Sequence, residues 1–395
     1  MASVSDAHNI DDLRRQAARR LPAFLFQYVE RPSGNGMGVV RNAAGFDKYL
    51  MVPRGLTSVT PLDTGRTLFG RRYDLPFGIS AVGGLGMFWP AAEEHLAAIA
   101  RDFNIPFMLS GMSTQSIETI ARIAPGQVWS QLYPAKDHAI TEGMMAQARN
   151  AGIEVLAVAV DYPVANRSEV PLRTGVSLRG GIDWRKWPGI FTDLLSHPDW
   201  LCRFLANGGM PATESWQPYA PPGSSPKDIL RFFATVWPPT LVWSDIERIR
   251  AQWRGKLVIK GLLAPADVAT ACRLGADAVI VSNHGGNRLD FMPASIDSLC
   301  AVRQAVPEAR PLLFDGGIRR GSDILKAIAL GADFCFAGRA FLYGVSAGGK
   351  AGAARAAGLL RDELANAQAM LGCADLDAVR RDMIFTPSPE PGRSA

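Results

Sequence analysis

The sequence has few of the features that mark secreted, metal-binding or membrane-spanning proteins. Its five cysteines lie far apart and form neither a CxxC pair nor a cluster with histidine, which predicts reduced thiols and no bound metal. No uninterrupted apolar run approaches about 18 residues, so we expect no spanning helix. The N-terminus lacks the apolar stretch of a signal peptide and is typical of an amphipathic helix. Together these absences predict a cytoplasmic protein.

The sequence also has little excess of positive over negative charge. The formal net charge is +5 over 395 residues, and no basic block interleaved with aromatic residues is present, which argues against a nucleic-acid partner. The chain is 48% hydrophobic and 20% charged, a balance typical of a globular enzyme with a large core.

Eight short apolar runs alternate with helical segments along most of the chain. The runs are 77–82, 105–110, 128–132, 155–161, 257–260, 278–282, 312–315 and 334–337. Continuous apolar runs of this length favour parallel strands covered on both faces. Eight strand–helix units predict an α/β fold of the (β/α)8 barrel class. A doubly wound open sheet is the alternative, but it would need fewer strands or a visible nucleotide fingerprint.

One connection is much longer than the others. Residues 162–254 separate the fourth and fifth runs and carry most of the nine tryptophans. Such an insertion lies at the C-terminal face of a barrel, where it forms a lid, an oligomer contact or, through 180–245, a peripheral membrane contact. We expect one domain over 1–395, with a helical preamble at 1–50 and a helical tail at 345–395.

Polar residues stand where the predicted strands end, which is where barrel enzymes carry their chemistry. In chain order these residues are Ser110, Gln131, Tyr133, Asp161, Lys260, His284 and Asp315. A histidine on a barrel rim near a carboxylate is a candidate acid–base group, although a lone histidine is more often structural. Lys260 follows three apolar residues, and a buried ammonium needs an anionic partner.

The seventh and eighth units indicate an anion site. DGGIRRG follows one strand and AGRA precedes a helix. Glycines let backbone N–H groups approach a phosphate, and arginine adds a fork of donors. The alternative is a pair of tight turns with surface arginines.

These motifs resemble the FMN-dependent α-hydroxy acid oxidase and dehydrogenase family, which includes glycolate oxidase, L-lactate dehydrogenase and (S)-mandelate dehydrogenase. The resemblance covers about 21–372 and is weakest across 162–245. It is carried by LVIKG, GADAVIVSNHGG, PLLFDGGIRRGSDILKAIALGAD and FAGRAFLYG, with support from QLY and LPAFLFQYVE.

The resemblance implies a role for each matching residue. His284 would be the base and Asp161 the carboxylate that supports it, with Tyr133 and Lys260 completing the catalytic set. Tyr28 and Tyr133 would face the substrate, and Lys260 would lie beside the flavin. The other implied FMN contacts are Ala81, Val82, Gly83, Ser110, Gln131, Ser282 and Asp315, with the phosphate at Gly317, Arg319, Gly338 and Arg339. The implied reaction is oxidation of a mandelate-like or bulkier 2-hydroxy acid, with the proton leaving either the hydroxyl or the α-carbon.

Two departures concern the substrate carboxylate. The family motif places an arginine where this chain has Asn287, and Arg288 follows it. A second expected arginine falls on Ser168 by direct count and on Arg167 if one residue is skipped. The substrate-binding candidates are therefore Arg288, Arg167 and Asn287. A buried carboxylate without a bidentate partner is costly, so a substrate lacking a standard α-carboxylate is the alternative.

Three further expectations remain open. The electron acceptor would be oxygen or a quinone, and Gly83 favours a dehydrogenase because its segment is similar to the mandelate dehydrogenase pattern. The family resemblance implies a homotetramer, and a peripheral position at the inner face of a membrane is a further expectation. A phosphate-binding isomerase or lyase, or a flavin-binding protein without activity, are the competing interpretations.

Overall fold

The computed structural model describes residues 3–164, 167–177, 181–237, 241–307, 309 and 311–385. The strands of this part are, in chain order, β1 (Arg66–Leu68), β2 (Arg71–Tyr73), β3 (Phe77–Ile79), β4 (Phe107–Leu109), β5 (Val128–Leu132), β6 (Val155–Ala159), β7 (Val176–Ser177), β8 (Gly181–Ile182), β9 (Lys256–Leu262), β10 (Ala278–Val281), β11 (Leu312–Asp315) and β12 (Phe334–Ala337).

Eight of these strands close into a parallel barrel in the order β3, β4, β5, β6, β9, β10, β11, β12 and back to β3. Each predicted apolar run overlaps one of them, so the predicted (β/α)8 class is confirmed. The strands form because apolar side chains lie on both faces: every residue of β6 and of β12 is buried.

Helices follow the barrel strands and cover them. The α-helices are α1 (Ile10–Arg20), α2 (Ala23–Glu30), α3 (Met37–Ala44), α4 (Ala92–Asp102), α5 (Ile117–Ile123), α6 (His138–Asn150), α7 (Val170–Thr174), α8 (Trp187–Ser196), α9 (Pro198–Ala206), α10 (Pro226–Val236), α11 (Trp243–Gln252), α12 (Pro265–Arg273), α13 (Ser295–Ala305), α14 (Gly321–Ala329) and α15 (Arg339–Met370). In the part of the chain that the structure describes, no helix is both long and apolar enough to cross a membrane.

The inside of the barrel is a separate hydrophobic cluster. It is built from large side chains that point inward from the strands, among them Trp129, Phe334 and Phe336. The β1–β2 hairpin, which the sequence did not reveal, adds Leu68 and Tyr73 at the N-terminal end of the barrel. The barrel is therefore filled below the strand ends that carry the polar residues.

The long connection between β6 and β9 carries α7 to α11 and the short β7–β8 pair. Trp200 and Trp216 are buried in it, whereas Trp184 is 77% exposed. The insertion thus packs part of its aromatic residues and presents others to solvent. Residues 165–166, 178–180 and 238–240 of the predicted lid, and 386–395 of the predicted tail, lie outside the described residues.

Candidate active site

A large cleft lies over the C-terminal ends of the barrel strands. It encloses about 1620 Å³ of space free of protein atoms, part of which is open to solvent. The predicted site residues that line it are Tyr28, Ala81, Val82, Gly83, Ser110, Tyr133, Lys260, His284, Asn287, Arg288, Asp315, Gly317, Arg319, Gly338 and Arg339. The strand ends therefore bring together residues that are distant in sequence.

His284 and Asp161 form a hydrogen-bonded pair at the centre of the cleft. The Nδ1 atom of His284 is 3.0 Å from Oδ1 of Asp161 and 3.1 Å from Oδ2. Burial, together with the Arg288 charge, lowers the pKa of His284 to about 4 although Asp161 raises it. Burial alone would raise the pKa of Asp161, but His284, Lys260 and Arg288 hold it well below its usual range. The pair is therefore a neutral imidazole that donates its Nδ1 proton to an ionised carboxylate.

Arg288 reaches the same histidine from the opposite side. Its Nη2 donates to Nε2 of His284 at 2.6 Å, and its Cζ lies 3.4 Å from the ring centroid of Tyr162. The Nε atom of Arg288 is buried and has no hydrogen-bond partner in the described structure. The cleft therefore contains a cation with an unused donor beside the imidazole.

Close backbone approach makes the His284–Asp161 contact possible. Gly261, on β9, has a φ of 108°, and a Cβ there would lie 2.4 Å from Cγ of Asp161. His284 itself adopts a φ of 57° within a short turn that ends at Gly286. A positive φ at a residue other than glycine is strained and must be held by its surroundings.

A buried asparagine pair holds that turn, and sequence reasoning missed it. The side-chain amides of Asn42 and Asn283 bond reciprocally, at 2.7 and 2.8 Å. Oδ1 of Asn283 accepts from the N–H of Gly286 at 3.0 Å, and Oγ of Ser295 accepts from the N–H of Asn283. Its sequence signals were Asn283 beside His284 and the polar Asn42 within the helical preamble.

Lys260 supplies a second buried cation. It is 2% exposed, and its Nζ lies 2.8 Å from Oδ2 of Asp315 and donates to Oγ of Ser282 at 3.0 Å. Burial would lower the pKa of Lys260, but Asp315 and Asp161 raise it above its usual value. Asp315 also accepts from Ser282 and from Ser80. The lysine is therefore charged and rigidly placed at the floor of the cleft.

The far end of the cleft is suited to an anion. Gly316 and Gly317 have φ values of 122° and 91°, and Arg319 and Arg339 line the cleft beside them. Helix α15 begins at Arg339, and its N-cap, Gly338, has no side-chain cap. A helix N-terminus without a side-chain cap, flanked by two arginines, favours a phosphate.

The other end of the cleft is apolar and comes largely from the insertion. Met210, Leu230, Phe233 and Trp237 line it, together with Met112 from the loop after β4. Tyr133 is 9% exposed, and burial raises its pKa. A ligand with a bulky apolar group fits this side.

Four predicted residues do not line the cleft. Asp161 and Ser282 lie one contact behind it, through His284 and Lys260, and Gln131 is 3% exposed on β5. Arg167 is exposed, and its backbone carbonyl accepts from Gly34. The structure thus places Arg288, but not Arg167, beside His284. No cluster of potential metal ligands occurs among the described residues.

The residues of the cleft can accept one proton and can stabilise negative charge at two places. Nε2 of His284 can accept a proton, and Asp161 stabilises the imidazolium that results. Arg288 can pair with an anionic group next to that proton, while Lys260 stabilises negative charge at the floor.

Comparison with known proteins finds relatives along almost the whole chain. The family model described as FMN-dependent dehydrogenase matches residues 17–386. An L-lactate dehydrogenase of Yersinia pestis (strain Pestoides F) is 32% identical over 373 residues, which are 94% of this chain and 97% of that protein.

Solved structures are similar over nearly the whole chain. The crystal structure of the monotopic membrane protein (S)-mandelate dehydrogenase superposes with a TM-score of 0.91 at 31% identity, and the match covers 97% of this chain and 100% of that one. A mandelate oxidase with (S)-4-hydroxymandelic acid has a TM-score of 0.79 at 29% identity, over 95% of this chain and 98% of that one.

Proposed function

The chain belongs to the FMN-dependent dehydrogenase family, and from this premise we propose that it oxidises 2-hydroxy acids with a bulky, aromatic side chain to 2-oxo acids. As a member of this family it is an FMN-dependent oxidoreductase. The observation that carries the substrate proposal is the His284–Asp161 pair with Arg288 at its Nε2 atom, facing an apolar pocket.

The cleft fits both the phosphate and the ring system of FMN. Gly317, Arg319, Gly338 and Arg339 would hold the phosphate, because they combine positive-φ or uncapped backbone with two guanidinium groups. Asp315 would bind ribityl hydroxyls. Lys260 and Ser110, with the segment Ala81, Val82 and Gly83, would contact the ring system. Gln131 and Ser282 would support it from behind.

The oxidation needs an acceptor for the two electrons that leave the alcohol carbon of the substrate, which FMN would supply when bound. His284 takes the proton at Nε2, either from the hydroxyl or from the α-carbon, because its Nδ1 already donates to Asp161. Asp161 stabilises the imidazolium, and Lys260 offers a buried positive charge. Tyr28 and Tyr133 face the substrate. Arg288 binds its carboxylate and must leave Nε2 of His284 to do so.

Asn287 also lines the cleft and is a second polar group for the substrate. Arg167 is exposed, so a substrate would meet one arginine rather than two. That observation supports the alternative of the same flavin chemistry on a substrate without a standard α-carboxylate. The family match favours oxidoreduction over an isomerase, a lyase or an inactive flavin protein.

Anaerobic reduction of the bound flavin tests both substrate classes. We expect mandelate to bleach the flavin faster than lactate or glycolate, because Phe233, Trp237 and Met210 leave an apolar volume that small substrates do not fill. Faster reduction by glycolate would contradict the bulky-substrate proposal. Reduction by the amide of mandelate but not by mandelate itself would establish the alternative. Re-oxidation by oxygen or by a quinone then identifies the acceptor.

A second proposal is a peripheral membrane contact through the α8 patch, which we define as Trp184, Trp187, Phe191 and Leu195. Their exposed fractions are 77%, 49%, 49% and 56%, and the exposed Arg185 lies between the first two. Aromatic and apolar side chains beside a cation suit the interface of an anionic bilayer. The likeness to a monotopic membrane protein supports this position.

Co-sedimentation with vesicles containing anionic lipid tests the α8 patch. The double variant Trp184→Ser, Phe191→Ser should lose binding, whereas Val40→Ser, on α3 and 57% exposed, should keep it. Equal sedimentation of the wild type, the double variant and Val40→Ser would refute the proposal. The homotetramer remains a proposal that sedimentation equilibrium checks.

A further inference from the structure

Arg288 is half-buried and lacks the usual carboxylate partner of such an arginine. No carboxylate among the described residues lies within ion-pair distance of it, and its Nε atom has no partner. Its side chain instead contacts Nε2 of His284, which the reaction requires free, and the face of Tyr162. The contact with the ring of Tyr162 can therefore persist when the guanidinium of Arg288 leaves the imidazole of His284.

Tyr162 is itself held by residues of the insertion. Its ring centroid lies 4.2 Å from that of Trp237, and the indole N–H of Trp237 donates to the Tyr162 carbonyl at 3.0 Å. Phe233 lies 4.6 Å from Trp237, and Trp216 lies 4.7 Å from Phe233, each edge to face. We call Tyr162, Trp237, Phe233 and Trp216 the aromatic column.

The base of the aromatic column is fixed. Trp216 is 1% exposed, and its indole N–H donates to the carbonyl of Gly111 at 2.8 Å, in the loop after β4. Phe233, on α10, is also buried. A close-packed row of rings transmits position, because a protein interior has little free volume into which a ring can shift.

We propose that Tyr162 is a positioning residue, whose ring, fixed by the aromatic column, holds the guanidinium of Arg288 on the substrate side of the cleft. This inference rests on the proposed function of Arg288 in binding the carboxylate. A neutral ring holds a guanidinium without neutralising it, whereas a carboxylate partner would compete with the substrate for the same donors. The insertion would thereby set the enzyme's preference for anionic substrates.

Substitution at position 162 separates the ring face from the hydroxyl. Tyr162→Phe keeps the face and should keep the wild-type preference for mandelate over its uncharged amide. Tyr162→Leu removes the face and should raise KM for mandelate about 2- to 30-fold, the range of a cation–π contact, with a smaller change for the amide. Tyr219→Leu is the matched control, since Tyr219 lies in the insertion but bonds to Gln147.

A binding measurement keeps this test independent of turnover. Benzoate titrated into the FMN-loaded enzyme perturbs the flavin spectrum, and we expect Tyr162→Leu to weaken its binding by a similar factor. If Tyr162→Leu leaves both the benzoate affinity and the mandelate-to-amide preference unchanged, the positioning role is wrong, whatever the substrate. If the wild type oxidises no 2-hydroxy acid but Tyr162→Leu still weakens benzoate binding, the proposed substrate fails while the positioning role stands. Thermal melting of each variant excludes simple unfolding.

Discussion

Replacing Gly261 by alanine should disable the proposed proton-accepting pair, His284 and Asp161, without changing either residue. A Cβ at position 261 would lie 2.4 Å from Cγ of Asp161, and ordinary contact begins near 3.4 Å, so the carboxylate must move by about 1 Å. That displacement stretches its 3.0 Å hydrogen bond to His284. Misplacement of a catalytic group by about 1 Å costs roughly 100-fold in rate.

The backbone contributes a separate cost that a control can remove. Gly261 has a φ of 108°, and alanine in such a conformation costs about 1–3 kcal/mol. Gly275 has a φ of 85°, but a Cβ there would meet its nearest atom, Cδ of Arg250, at 3.6 Å. Gly275→Ala therefore carries the backbone strain without the collision near the active site.

The assay is the stopped-flow rate of flavin reduction at saturating mandelate under nitrogen. We expect Gly261→Ala to lose about 100-fold and Gly275→Ala to keep nearly the wild-type rate, with both proteins retaining FMN and a cooperative melting transition. A folded, FMN-loaded Gly261→Ala enzyme that reduces its flavin at the wild-type rate would refute the role of the Asp161–His284 distance.

Four further predictions concern the same pair and its support. Asp161→Asn should slow flavin reduction by about 10²- to 10⁴-fold, measured by stopped flow, because an amide cannot stabilise the imidazolium. Since burial lowers the pKa of His284 to about 4, the reduction rate should hold its plateau from neutral pH to about pH 5. His284 binds a proton near pH 6.5 in the unfolded chain but only near pH 4 in the folded one. The free energy of unfolding should therefore fall as the pH falls between these values, and denaturation curves would show this. Asn42→Ala should lower the melting temperature and the reduction rate together, because it removes reciprocal hydrogen bonds that hold the His284 turn; loss of stability with an unchanged rate would contradict this.

The barrel could be predicted because each of its strands is buried on both faces and therefore leaves a continuous apolar run. The β1–β2 hairpin escaped prediction because strands of three residues, with Arg66, Arg71 and Arg72 among them, leave no such run. The hairpin belongs to the barrel core because Leu68 and Tyr73 contact residues far along the chain.

The site was predictable in its types of residue but not in its contacts. His284, Lys260 and Asp315 stand at strand ends, and parallel strands bring their ends together whatever the loops do. The choice between Arg288 and Arg167 depends instead on how a loop and an insertion fold. The sequence offered both as candidates, and in the structure only Arg288 contacts His284 and the ring of Tyr162.

The filled interior of the barrel has a consequence for the order of events in turnover. Trp129, Phe334 and Phe336 occupy the space beneath the cleft, and Leu68 and Tyr73 add to them at the N-terminal end. Nothing can therefore reach the flavin along the barrel axis through the described residues. We therefore expect both the hydroxy acid and the electron acceptor to approach from the C-terminal side of the barrel, an arrangement that favours two half-reactions separated in time.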